Sequence, residues 1–132
     1  MISISGLPAF LLYLVTAGGL IGLYLLVYTL ATAHNEFALI RRDVAAAAVA
    51  LGFSLVGFAL PLSVAIYNAQ SILDCIIWGL VALVVQILIY WLVRLAVPDL
   101  SRRIEDGRMA AAVLLGAASF AGGIVNAASM TA

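Results

Sequence analysis

The sequence predicts an all-α membrane protein, four transmembrane helices arranged as two tandem helical hairpins in a single domain spanning 1–132. Three observations predict it. Hydrophobic residues make up 67% of the 132 positions and charged residues only 9%, whereas soluble domains carry about 25% charged residues. The apolar text falls into four stretches, each long enough to cross a bilayer, which takes roughly 20 helical residues. The second pair of stretches echoes the first at a fixed separation.

The four spans lie at approximately 8–31, 45–67, 72–97 and 109–131, with breaks at 34–43, 68–71 and 98–108. So little chain remains outside them that a soluble domain is not expected. The first span could be mistaken for a signal peptide, because the "ATA" before His34 resembles a cleavage site. No basic residue precedes it and its apolar stretch is too long, so a retained helix is expected. Within it, Gly18 and Gly22 form a small-xxx-small pair suited to helix contact.

The third span is the oiliest. Between Cys75 and Val93 it holds twelve Leu, Ile or Val residues, which at about −0.3 to −0.6 kcal/mol each offset the one amide, Gln86. It can therefore face lipid. The fourth has only six Leu, Ile, Val or Phe residues, while thirteen of its 23 positions are Ala, Gly or Ser. Small residues let backbones approach, so this helix gains most by packing inside.

On the fourth span Ala112, Gly116, Ser119, Gly123, Asn126 and Met130 recur at spacings of four and three, which sets them on one helix face. At matching depth the second span carries Ala47, Leu51, Ser54, Phe58, Pro61 and Ala65. These faces are expected to meet, large into small, Leu51 over Gly116 and Phe58 over Gly123. Gly57 and Gly122 are further candidates for close helix contact.

The repeat rests on residue identities. A shift of 65 lays Ala45, Ala46, Ala47, Ser54 and Gly57 on Ala110, Ala111, Ala112, Ser119 and Gly122. A shift of 66 lays Leu14, Tyr24, Leu26 and Val27 on Leu80, Tyr90, Leu92 and Val93. With two spans per unit both copies share one orientation, a parallel repeat about an axis normal to the membrane.

Arginine placement sets topology. Arg41 and Arg42 lie in the first break, Arg102, Arg103 and Arg108 in the third, and Arg94 near the third span's adjoining end. The positive-inside rule then predicts both termini outside and both arginine-bearing loops in the cytoplasm. Trp78 on one side, with Tyr24, Tyr28, Tyr90 and Trp91 on the other, fit two aromatic belts.

Chemistry inside the bilayer is sparse. Gln86, Ser54, Ser119 and Asn126 are the intramembrane polar candidates, and unpaired they would cost several kcal/mol. Pro61 frees a carbonyl about a turn earlier, an acceptor available to Asn126 or Gln86. Asp74, at the start of the third span, suits a helix N-terminus or, less well, a cation-recruiting mouth. His34 and Glu36, in "HNEF", read as a solvated turn or as a pH-sensitive pair.

No pair of carboxylates shares a face, no Ser or Cys has a base in sequence reach, and the one cysteine and one histidine cannot build a metal site. No enzyme, cofactor or metal is expected. Six arginines balance six acids without a lysine, so no nucleic-acid partner is expected either.

The strings "HNEF" at 34–37, "LPLS" at 60–63, "WGLVALVVQ" at 78–86, "VRLAVPDLS" at 93–101 and "GGIVNAASMT" at 122–131, in this order and spacing, resemble the YjfL-like family of small bacterial inner-membrane proteins. That family is described as a domain of unknown function, number three-fifty. Similar sequences often carry a cysteine where this chain has Ser129. The resemblance implies four spans and residence in the inner membrane; it suggests genomic company with peptide or polyamine ligases and envelope-stress proteins, and it supplies no activity.

The function expected is a non-enzymatic, homo-oligomeric inner-membrane subunit that organises cytoplasmic or membrane protein partners through its arginine-bearing loops. The alternative is an oligomeric channel or transporter-like pathway for ions or small solutes, with Asp74 at its mouth.

Overall fold

The computed structural model describes residues 4–32 and 35–131. After a 3₁₀ turn at Ile4–Gly6 come α1 (Leu7–Ala31), α2 (Glu36–Arg41), α3 (Ala45–Asn68), α4 (Ile72–Ala96), α5 (Leu100–Glu105) and α6 (Met109–Ser129). The 3₁₀ turn and α1 form one continuous stretch, Ile4–Ala31, and this stretch, α3, α4 and α6 are long and apolar enough to cross a membrane. The order long, short, long thus occurs twice. The short helices α2 and α5 occupy stretches that composition reads only as breaks, because six residues carry too little periodicity to announce a helix.

Local chemistry sets the ends. Pro8 opens α1 in the first turn, where a missing N–H costs nothing. Ser71 caps α4 by accepting from the Asp74 amide at 3.1 Å, while the Asp74 carboxylate accepts from the Gln70 amide at 3.3 Å, a variant of the capping box. Asn35 caps α2 by accepting from the Ala38 amide. Both short helices end on a left-handed residue, Asp43 (φ 61°) after α2 and Gly107 (φ 75°) after α5, and the next amides, of Val44 and Arg108, reach back to the carbonyls of Leu39 and Arg103.

The four long helices follow one another around the bundle as α1, α3, α6, α4, with α4 closing onto α1 and also touching α3 across the middle. The tightest pair is α3 with α6. A side chain added at Gly57 would strike the Ser119 carbonyl, and one at Gly123 would strike the Gly57 carbonyl. Here the two backbones meet with no side chain between them, the approach that small residues permit in a membrane.

Both expected faces are turned inward. Ala112, Gly116, Ser119, Gly123 and Asn126 of α6 and Ala47, Leu51, Ser54, Phe58, Pro61 and Ala65 of α3 are buried, with Met130 half-buried. Four of the six large apolar residues of α6, Val113, Leu114, Ile124 and Val125, point outward. The helix is therefore sorted by size, small inside and large toward lipid.

The expected partners, however, are wrong. Gly116 receives Phe53, whose Cβ would lie 2.9 Å from an added methyl, and Gly123 receives the Gly57 backbone. Leu51 and Phe58 are not the side chains that fill these glycines. Phe58 stacks instead on Tyr24 of α1, ring centroids 4.5 Å apart and planes 8° from parallel. One residue of helix is 100° of rotation, and Gly57 already occupies the α6 side.

Helix α1 packs through Ala17, Leu20, Tyr24 and Tyr28. Leu20 enters the space left by Gly79 of α4, and Tyr28 meets Tyr90 edge-on at 5.6 Å. The belt assignment of Tyr24, Tyr28 and Tyr90 is thereby corrected, since all three are core residues with at most 1% exposure. Tyrosines at spacings of four near a span's end satisfy a belt and a buried stripe equally, and only the opposing Phe58 decides. Trp78 and Trp91 are about half exposed, at 45% and 48%, as a belt requires.

Gly18 and Gly22, expected as a helix contact, are exposed, and among the described residues nothing lies within 4 Å of a side chain added at either. Of the four spanning helices, α1 is the least covered.

Candidate functional site

The polar residues of the spans come together at the α3–α4–α6 junction. Ser54 donates its hydroxyl to Ser119 Oγ at 3.3 Å, and Gln86 Nε2 donates to the Ser119 carbonyl at 3.1 Å. Asn126 Nδ2 donates to the Ala82 carbonyl at 3.3 Å and lies 3.5 Å from Gln86 Oε1. All four side chains are buried, none exposing more than 7%. Each amide thus has a partner for a donor, and Gln86 for its carbonyl as well, at a net gain of about 0.6–2 kcal/mol per interhelical bond.

Gly57 makes this possible. An added methyl there would lie 3.0 Å from Gln86 Nε2 as well as striking the Ser119 carbonyl, so the missing side chain is the space through which α4 delivers its amide. The carbonyl that Pro61 frees, four residues earlier, is that of Gly57. It serves neither Gln86 nor Asn126, as expected from sequence, but faces the Gly123 backbone, a geometry for Cα–H···O contact. Gly122 is half-buried against Ile89.

A second polar group gathers where the short helices meet the bundle. Glu36 is wholly buried, which corrects the expectation of a solvated turn; α2 folds under the bundle with Leu39 packed into the core. The Glu36 carboxylate lies within electrostatic reach of Tyr28 and Tyr90. The buried hydroxyls of Tyr28, Tyr90 and Ser101 make no hydrogen bond of good geometry among the described residues, although Tyr28 lies near Ser54 and Tyr90 near Ser101. His34 lies outside the described residues.

The remaining candidates are superficial. Arg41, Arg42, Arg102 and Arg103 are exposed. Asp74 is partly buried and engaged in capping α4. Beside it a cleft of about 130 Å³ is lined by Asn68, Asp74, Trp78 and Met130, and an apolar groove of about 400 Å³ runs between Phe10, Tyr13 and Ile66. Neither is lined by Gln86, Ser54, Ser119 or Asn126. Among the described residues no group of three His, Cys, Asp or Glu is placed to hold a metal.

Gly79, Ala82 and Ser101 carry no signal in the sequence. A glycine or alanine in an apolar run declares nothing until the opposing Leu20 or Asn126 is seen.

With four apolar helices and a wholly internal polar network in place, comparison with known proteins decides the family. The model of the Domain of Unknown Function (DUF350) matches residues 1–130. The chain belongs to this family. It is also 41% identical over 128 residues, 97% of each chain, to the UPF0719 inner membrane protein YjfL of Escherichia coli K12, and equally to its counterpart in Escherichia coli O157:H7. No solved structure matches. Four spans and these relatives make the DUF350 chain an integral membrane protein.

Proposed function

We propose that this chain is a non-enzymatic, homo-oligomeric subunit of the bacterial inner membrane, with both termini outside, that organises partner proteins through its arginine-bearing loops. The observation that carries the reading is the closure of the polar network. Gln86, Ser54, Ser119 and Asn126 bond to one another and to the Ser119 and Ala82 backbone, so they serve to hold helices together. A conduction path requires polar atoms turned toward a lumen.

Two features support the rest. The Gly18 and Gly22 face of α1 is a helix-contact motif with open space before it, suited to the same face of a second copy. Arg41, Arg42, Arg102 and Arg103 stand exposed beside α2 and α5, where the positive-inside rule sets the cytoplasm. The tandem repeat belongs to the same proposal: exchanging α1 with α4 and α3 with α6 maps one long-short-long unit on the other, and the Ser54–Ser119 bond joins residues 65 apart, the repeat shift itself.

Ion and solute flux through liposomes holding pure protein tests the reading. The expected result is flux at the level of empty liposomes, with Arg41, Arg42, Arg102 and Arg103 replaced by Gln abolishing partner co-purification. Robust flux that Gln86→Leu or Asn126→Leu weakens would overturn it in favour of the channel.

A further inference from the structure

Where α4 ends and α5 begins, a cleft of about 440 Å³ is lined by Arg94, Asp99, Leu100, Ser101, Arg102 and Glu105. Its charges are two guanidiniums and two carboxylates, all on exposed residues, and neither arginine forms an ion pair among the described residues. Directly below on α4, Trp91, Leu88 and Val84 succeed one another at spacings of three and four, each exposed, with Leu92 and Leu95 beside them. Spacings of three and four keep them on one side of the helix, in line with Arg94.

We propose that this cleft binds the headgroup of a zwitterionic ethanolamine phospholipid. Arg94 and Arg102 take the phosphate, for which the planar guanidinium fork is suited. Asp99 and Glu105 accept from the ammonium, which offers three N–H donors. The acyl chains lie along Val84, Leu88 and Leu92, with the Trp91 ring at the level of the glycerol, where interfacial tryptophans reside. Charge balance selects this class. An anionic lipid or a free phosphate would add net negative charge to a cleft whose own charges cancel and would bring no ammonium donor to the carboxylates, and a choline headgroup has no N–H to donate. The bare aliphatic stripe favours a lipid over a soluble phosphate ester. The site goes beyond the scaffold reading and depends on neither its partners nor its topology.

Native mass spectrometry of delipidated protein, offered equal amounts of ethanolamine, choline and glycerol phospholipids with identical chains, tests the site. The expected result is retention of the ethanolamine lipid about tenfold over either competitor, a difference of one or two charge-assisted hydrogen bonds. Mono-, di- and trimethylation of the amine should lower retention stepwise in the wild-type chain. Arg94→Gln with Arg102→Gln should lower retention of all three lipids, because the phosphate they share loses its partners, while ethanolamine keeps its lead over choline. Asp99→Asn with Glu105→Gln should raise the glycerol lipid to at least the ethanolamine level. Equal retention of the three lipids, or indifference to amine methylation, overturns the proposal without reference to any variant. Displacement of the lipid by millimolar phosphoethanolamine or inorganic phosphate overturns it in favour of a soluble ligand.

Discussion

The side-chain amide of Gln86 donates to the backbone carbonyl of Ser119, 3.1 Å away, through a space that exists because residue 57 has no side chain. One helix thereby bonds to the backbone of a second across the glycine of a third. The arrangement explains why an amide is tolerated in the oiliest span, and it yields quantitative expectations.

Gln86→Leu removes the bond to Ser119 and leaves Asn126 with the Ala82 carbonyl alone. The expected loss is about 1–2 kcal/mol, as for a buried interhelical hydrogen bond, read from unfolding in mixed micelles. Asn126→Leu should cost a similar amount, and the double change less than the sum, because the two amides share a contact.

The glycines should separate into classes. Gly57→Ala and Gly123→Ala drive a methyl into backbone that cannot yield, an overpacking cost of about 3 kcal/mol or more. Gly122→Ala meets only the end of the flexible Ile89 side chain, so about 1 kcal/mol is expected. Gly18→Ala should leave the monomer's stability within about 0.5 kcal/mol while weakening any association of copies. Chemical unfolding and cross-linking of the same variants read the two effects separately.

These classes also show what a sequence can announce. The inward faces of α3 and α6 were legible, because Ser54, Phe58 and Pro61, and Gly116, Ser119, Gly123 and Asn126, keep helical spacing in text where large and small residues alternate. Which residue fills which glycine was not legible. That depends on the rotation of one helix against another, and a single residue's difference exchanges Phe58 for Gly57. The burial of Glu36 was hidden for a different reason: a short, charged break reads as solvated unless the fold tucks it beneath the bundle.

The aromatic core tests the corrected role of the tyrosines. Tyr24→Ala removes the ring stacked on Phe58 and should cost about 3–5 kcal/mol, the range for deleting a buried aromatic. Tyr28→Phe deletes a buried hydroxyl that makes no hydrogen bond of good geometry among the described residues; its neighbour Ser54 keeps its bond to Ser119, so the change should cost less than about 1 kcal/mol. Belt residues would show the opposite order, with tolerance of truncation and sensitivity to loss of the hydroxyl.

At the start of α4, Ser71→Ala should cost about 1 kcal/mol, the usual worth of an N-cap, by freeing the Asp74 amide. Thermal unfolding followed by circular dichroism checks this. Asp74→Asn keeps an acceptor for Gln70 and should lose less.

The most direct test of the whole account is reaction of single cysteines, in a Cys75→Ala background, with a thiol reagent dissolved in the bilayer. Cysteines replacing Leu92 and Val125 should react readily, and those replacing Ser119 and Ala112 should stay protected until the protein is unfolded. Equal labelling of Ser119→Cys and Leu92→Cys in the folded protein would contradict an internal polar network sealed between α3, α4 and α6.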